Sequence, residues 1–248
     1  MQLKFVYPIA ILIAFVITVT EGDIIFRGKV KEVYYTPAEV KITYLSPHVK
    51  LSPYDKHFRE AADSLGWDWK LIASIAFTES RFDSVAMSEA GACGVMQVMP
   101  GTLRGLGIPD SLFMDTRTNI MAASELLGSL NYLYRRIDNF EERTNFILAS
   151  YNAGAGHIGD AMNLAQKHGL PRYVWNNNVD SFLVLKSLPE YYTDSVCKNG
   201  SFSDWKQTLS FVKKVKRTWR KFERKQQRYN DSINIILAQD STKRVGTE

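Results

Sequence analysis

Residues 66–82 read Gly66-Trp67-Asp68-Trp69-Lys70-Leu71-Ile72-Ala73-Ser74-Ile75-Ala76-Phe77-Thr78-Glu79-Ser80-Arg81-Phe82. Leu71, Ile72, Ile75 and Ala76 are spaced by one, three and four residues, which is a helical period. Gly66 stops the element before, and Asp68 is placed to cap this one. Glu79 lies four residues past Ile75 and seven past Ile72, so it shares the apolar face. A carboxylate on a buried face is expensive unless it is paired, protonated or in use. On its own, Glu79 reads more readily as a surface acid at a fraying helix end. The stretches on either side decide between the two.

Helices dominate outward from this stretch. Ser52-Pro53 is an N-cap followed by Pro at the first helical position, and opens a helix to about Leu65. Residues 83–98 are rich in Gly, Ser and Ala, and predict a loop or short hairpin. Pro100-Gly101-Thr102 starts a short helix that Gly105 and Gly107 end. Ile120, Ala123, Leu126, Leu127, Leu130 and Leu133 have helical spacing within 119–136. A further helix runs from Phe140 to Tyr151 and halts at Asn152-Ala153-Gly154-Ala155-Gly156. Helices follow near 157–168 and 179–188, then Pro189 and a loop through Gly200. Asp204 caps a long basic helix to about Ala238, and residues 239–248 read as a mobile polar tail. Residues 23–51 mix β-branched and aromatic residues with Pro37 and Pro47, an irregular lead-in with one short strand. The fold class is therefore mainly α, with at most a small β-hairpin.

The 248 residues suffice for one or two domains, and 45% hydrophobic with 23% charged residues is ordinary globular composition. Five Trp, twelve Tyr and thirteen Phe could line a sugar groove, although core packing accounts for most of them. The net charge is +5. Much of the excess falls in Lys213, Lys214, Lys216, Arg217, Arg220, Lys221, Arg224, Lys225 and Arg228. Nucleic acid, an acidic polymer or a membrane surface would each suit that stretch, as would simple solvation of a helix face.

Phe5 to Val19 is almost wholly apolar, follows one positive charge and ends at Glu21-Gly22-Asp23. That is short for a membrane span and right for a secretory segment. No clean small-x-small cleavage site follows, so residues 1–22 read as a signal peptide or an uncleaved anchor. Either places the protein outside the cytoplasm, in the periplasm or cell envelope. Cys93 and Cys197 are then expected to pair as one disulfide. His48, His57, His157 and His168 show no ligand spacing, so no metal is expected. No phosphate-binding Gly motif is present.

Three stretches together carry the chemistry: Glu79-Ser80-Arg81-Phe82-Asp83 with Ser88, then Gly91-Ala92-Cys93-Gly94-Val95-Met96-Gln97-Val98-Met99-Pro100, then Ala149-Ser150-Tyr151-Asn152-Ala153-Gly154. In this order and spacing they resemble lytic transglycosylases of the soluble-lytic-transglycosylase type. Ser52-Pro53-Tyr54-Asp55, Gly66-Trp67-Asp68-Trp69 and Pro189-Glu190-Tyr191-Tyr192 further resemble the catalytic half of the membrane-bound murein transglycosylase F group. The resemblance covers about residues 52–200 and implies a lysozyme-like fold, with the basic helix of 201–238 as an addition packed on it. That group usually carries a solute-binding domain in front, so regulation by such a domain is expected to be absent here.

The resemblance also implies roles. Glu79 matches the single catalytic acid. Most glycosidases use two carboxylates. Here Glu79 would act first as acid and then as base on the sugar's own 6-hydroxyl, closing a 1,6-anhydro ring without water. Apolar neighbours, with Met96 and Met99 as candidates, would raise its pKa. Ser88, Gln97, Tyr151 and Asn152 match family positions that contact substrate or support the transition state. Gln97 could both donate to and accept from an acetamido-sugar. Gly91, Gly94 and Gly154 serve backbone geometry. Thr78 departs from the Gln often found before the acid, which bears on substrate contacts and not on the acid. The implied reaction is cleavage of the β-1,4 bond between N-acetylmuramic acid and N-acetylglucosamine in peptidoglycan. The glycan strand is the partner, the basic helix is an expected contact to membrane or anionic wall polymer, and no nucleic acid or cofactor is needed. A monomer is expected. The alternatives are a muramidase that uses water, with Asp83 as second carboxylate, and a non-catalytic peptidoglycan-binding protein.

Overall fold

The structure is a computed structural model that describes residues 47–245, with side chains described for 47–237. The expected signal or anchor segment of 1–22 lies outside the described residues, as does most of the lead-in. The chain divides into a compact body, Lys50–Gln226, and a second unit to which residues 47–49 and 227–245 belong. Among the described residues no helix is long and apolar enough to cross a membrane.

Helix α1 spans Asp55–Leu65 and α2 spans Trp69–Ser80. Gly66 between them takes a left-handed backbone (φ 65°), which stops α1. Asp68 accepts the Lys70 N–H and caps α2, a contact worth about 1 kcal/mol. α1 begins two residues later than Ser52-Pro53 predicts. The Asp55 carboxylate reaches back to the N–H groups of Leu51 and Ser52, while the Ser52 hydroxyl accepts from Tyr54 N–H. Asp55 thus does the work assigned to Ser52, and the turn between them stays outside the helix.

α2 is the centre of the body. Every residue from Leu71 to Ala76 is buried, not only the face that the period marks. A helix buried all round needs few polar groups, and Ser74 satisfies its hydroxyl on the Lys70 carbonyl. Leu71, Ile72 and Ile75 are fully buried and contribute about 2 kcal/mol each.

After the loop 81–99 come α3 (Pro100–Gly105), α4 (Thr116–Leu133), α5 (Phe140–Ala153) and α6 (Ala155–Lys167). α1 packs on α2 and α4, and α5 packs on α4 and α6. The core joins Phe58, Ile72, Met96, Ile120, Leu127 and Phe146 across these elements. The loop forms two isolated antiparallel bridges, Met87 with Cys93 and Cys93 with Val98, the remnant of the expected hairpin. The fold class is mainly α, as expected. The helix expected over 179–188 is shorter, α7 (Asp180–Leu185), and is preceded by an irregular turn over Trp175–Val179. The expected loop after Pro189 contains a single helical turn, α8 (Pro189–Tyr192).

α9 runs from Trp205 to Val245. The mobile tail expected from 239 is helical as far as Val245, since neither Gly nor Pro interrupts the chain before Gly246. Within the body, α9 buries Thr208, Phe211, Val212, Val215 and Phe222. Phe222 meets Phe77 of α2 edge-on at 5.9 Å, and Trp219 Nε1 donates to Asp68 at 2.9 Å. The residue that caps α2 therefore also anchors α9.

Candidate active site

Glu79 sits in the last turn of α2. The side chain is half-buried. Among the described residues its carboxyl makes no hydrogen bond and no ion pair. Burial pushes its pKa up from 4.5 to about 8, with no countercharge opposing the shift. The negative end of the helix works in the same direction. Glu79 is thus a neutral acid near pH 7, the state a proton donor requires.

The wall opposite is the loop 93–98. Met96 is fully buried, whereas Met99 is 45% exposed, so only the first of the two candidate methionines can line an apolar pocket. Three helices hold this loop. Ser80, at the end of α2, donates its hydroxyl to Val95 O at 2.8 Å. Asn119 of α4 accepts the Met96 N–H at 2.9 Å and donates to Cys93 O at 3.0 Å. Tyr151 of α5 donates its hydroxyl to Met96 O at 2.8 Å. Gly94 has φ 75°, and a Cβ there would lie 2.6 Å from the Asn119 amide, so both backbone angle and space require glycine.

Gln97 takes a left-handed backbone (φ 49°), rare for a residue with a side chain. Its amide nitrogen donates to Ala86 O at 3.1 Å and to Gly94 O at 2.9 Å. Both partners are carbonyls, which accept only, so the side-chain oxygen alone is left for a ligand. The expectation that Gln97 both donates and accepts is corrected: it is an acceptor, because the loop uses both of its hydrogens. The Ser88 hydroxyl accepts the Ala92 N–H at 2.9 Å and keeps its own proton for another acceptor. Tyr151 is held well above its ordinary pKa, first by burial and then by the charge of Glu79. Its hydroxyl proton points to Met96 O and not to the acid. Phe211 of α9 stacks on the Tyr151 ring at 6.4 Å. The Asn152 side-chain oxygen accepts from the Thr208 hydroxyl at 2.8 Å, which ties α5 to α9 and leaves its NH₂ group.

Cys93 and Cys197 are unbridged. The Cys93 sulfur faces Val98 O and Phe113 O inside the loop. The Cys197 thiol stands among Asp160, Lys186, Asp194 and Lys167, in another environment. The expected disulfide is therefore absent from this structure. Ser80 and Asn119 were not singled out in the sequence. Ser80 lies inside the acid motif, and Asn119 shares a helix face with apolar Ala123 and Leu127, a buried-polar signal that was available. A surface groove of about 780 Å³ runs beside Leu106, Met121 and Tyr132 and does not include Glu79.

Residues 56–171 match the profile of the Transglycosylase SLT domain. The membrane-bound lytic murein transglycosylase F of Desulfosudis oleivorans is 32% identical over 168 residues, which is 65% of this chain and 36% of that protein. Its namesake in Pseudomonas fluorescens is 34% identical over 129 residues, or 51% of this chain and 26% of that one. The chain thus spans about a third of the length of the first of these relatives. The soluble lytic transglycosylase of Escherichia coli superposes with a TM-score of 0.41 at 22% identity, over 68% of this chain and 24% of that structure. An inactive variant of lytic transglycosylase Slt from Pseudomonas aeruginosa gives 0.39 at 22% identity, over 59% and 26%. The similarity to the transglycosylase SLT domain family thus lies in residues 56–171.

Proposed function

We propose that this chain is a peptidoglycan lytic transglycosylase of the cell envelope. It cleaves the β-1,4 bond between N-acetylmuramic acid and N-acetylglucosamine and leaves a 1,6-anhydromuramic acid end. The observation that carries this reading is a single carboxyl, that of Glu79, desolvated and without a hydrogen-bond or ion-pair partner among the described residues. As acid it protonates the leaving glycosidic oxygen. The carboxylate so formed takes the proton of the 6-hydroxyl, whose oxygen closes on C1 of the same sugar. Tyr151 and the Met96 wall exclude water around the acid, and Gln97 Oε1 and the Ser88 hydroxyl face the substrate. Asp83 is exposed and uses Oδ1 to accept the Val85 N–H, and Glu89 is exposed as well, so neither acid is placed to activate water. The test is mass spectrometry of products from purified peptidoglycan. Anhydro-muropeptides, lighter by one water than hydrolysis products, are expected. Products with a free reducing end would make the protein a muramidase, and no release at all would leave a binding protein.

The outer face of α9 holds the enzyme against anionic polymer or lipid head groups. Lys206, Lys213, Lys214 and Arg217 line a shallow groove of about 520 Å³ with Trp205 and Leu209. Lys216 and Arg220 belong elsewhere, since both pair with Glu141 of α5. Attraction between exposed charges falls with salt, as the screening length drops from ~10 Å at 0.1 M to ~3 Å at 1 M. Cosedimentation with purified wall, and separately with anionic vesicles, is expected to weaken between those two salt levels. It is also expected to weaken when Lys213, Lys214, Arg217 and Lys221 are changed to Gln. Equal binding by both proteins at both salt levels would make α9 only a structural strut.

A further inference from the structure

We propose that Phe82 is a positioning residue for Glu79: its ring, held by Phe222 of α9, keeps the chain in a left-handed turn that ends α2 one residue after the acid. The inference rests on the reading of Glu79 as the general acid.

Arg81 and Phe82 follow Glu79 and Ser80, and both take left-handed backbones, with φ of 56° and 69°. For a residue with a Cβ that conformation is uncommon and costly, and two in succession are more so. Such a turn persists only where its surroundings over-determine it. The Arg81 side chain is exposed, so the constraint falls on Phe82. The Phe82 ring is half-buried among three others. Phe58 of α1 lies at 5.8 Å, Phe77 of α2 at 5.5 Å and Phe222 of α9 at 6.4 Å, the last nearly parallel at 17°. Phe58 and Phe222 are themselves buried. In a continued helix the side chain of residue 82 would instead stand over Glu79, three positions on along the same face. A ring seated in this cage and a right-handed backbone at residue 82 are therefore alternatives.

What the turn does for the acid follows from helix geometry. Phe82 and Asp83 are the residues three and four beyond Glu79. Were α2 to run on, both would project from the Glu79 face, and the second would bring another carboxylate. The left-handed turn removes both. Phe82 goes to the aromatic cage, and Asp83 is exposed with Oδ1 accepting the Val85 N–H. Ser80, between the acid and the turn, ties the same helix end to the loop 93–98 through Val95 O at 2.8 Å. The end of α2 is thus held from two sides, and no further turn of helix lies over Glu79. Phe222 falls outside residues 56–171, so one wall of the cage comes from beyond the segment that matches the family profile.

The experiment compares Phe82→Ala with Phe82→Gly on purified glycan strands. Glycine takes a positive φ freely and alanine does not. Phe82→Ala is expected to lower kcat by ~10–10²-fold with KM within about two-fold, the pattern of a displaced catalytic group. Phe82→Gly should retain several-fold more kcat, although it removes the same ring and one carbon more. Loss of packing alone gives the reverse order, so alanine equal to or better than glycine overturns the proposal. Phe222→Ala should lower kcat in the wild-type background and add little beside Phe82→Gly, where no ring remains to hold. An equal loss in both backgrounds overturns the role of Phe222. NMR reads the backbone separately. The ¹³Cα shifts of residues 81–83 should turn helical in Phe82→Ala and not in Phe82→Gly, and unmoved shifts in Phe82→Ala overturn the proposal. Should Phe82→Ala fail to fold, the exposed Arg81 decides. The kcat of Arg81→Gly should exceed that of Arg81→Val several-fold, because a β-branched residue resists the left-handed backbone, and equal values overturn the proposal. Glu79→Gln, assayed alongside, tests the acid assignment separately: activity retained there removes the acid while the NMR shifts still report on the turn.

Discussion

Glu79→Gln is expected to lower cleavage of purified peptidoglycan by ~10²–10⁴-fold while the helical body stays intact. The amide keeps the size of the carboxyl but has no proton to deliver. No structural partner is lost, because the carboxyl has none among the described residues. Chromatography of released muropeptides measures the effect, and activity within a few-fold of wild type would remove Glu79 from the role of acid. The same substitution has a signature in stability. The folded protein holds the Glu79 proton up to pH about 8, whereas an ordinary Glu releases it near 4.5. Between those values the unfolded chain binds fewer protons than the folded one, so wild-type stability falls as pH rises. The Gln variant does not titrate. Melting curves of the two should coincide at acid pH and separate above it, with the variant the more stable in alkali.

Asp160→Ala is expected to cost about 3–5 kcal/mol, a fall of roughly 10 °C in Tm. Lys186 is fully buried, and its ammonium lies 2.9 Å from Asp160 Oδ2. Its other partners are Gly200 O at 2.6 Å and His157 Nδ1 at 2.7 Å, both neutral. Without Asp160 a buried cation keeps no countercharge, and the N–H groups of Lys198 and Asn199 lose their acceptors. Adding Lys186→Met should restore part of the loss, because removing a buried pair together is cheaper than stranding one member. A double variant less stable than the single would show that packing, not charge, is what the cluster supplies. Burial first, and then Lys186, hold the His157 pKa down, so His157 accepts from Lys186 as a neutral ring. A depressed histidine pKa means that the unfolded chain binds the extra proton first. Stability contributed by this cluster should therefore decline as pH falls below about 6.5.

Helix positions were legible because they depend on neighbours in the chain. Asp68 and Gly66 bound α2 where their side-chain and backbone chemistry says they must. The interruption at Gly154 is likewise local. The errors arose where a side chain several residues away competed. Asp55 displaced Ser52 as the organiser of the first turn, and α9 ran on because nothing in its sequence breaks a helix. The two cysteines were paired on the logic of an exported chain, but disulfide geometry depends on where each sulfur points, which composition does not report.

The sequence by itself determined the mainly α class, the helix that carries Glu79, and the three stretches that form the site. These follow from period, caps and motif order, all of which are properties of the chain read locally. Only the tertiary structure decided what each side chain has left for a ligand. Gln97 is reduced to an acceptor, Tyr151 turns its proton to Met96, Asn152 gives its oxygen to Thr208, and Asn119 enters the site from a helix that no motif marks. The reason is that a hydrogen-bonding group has a fixed number of donors and acceptors. Which of them remain open is settled by partners that, for Asn152 and Thr208, are 56 residues apart in the chain.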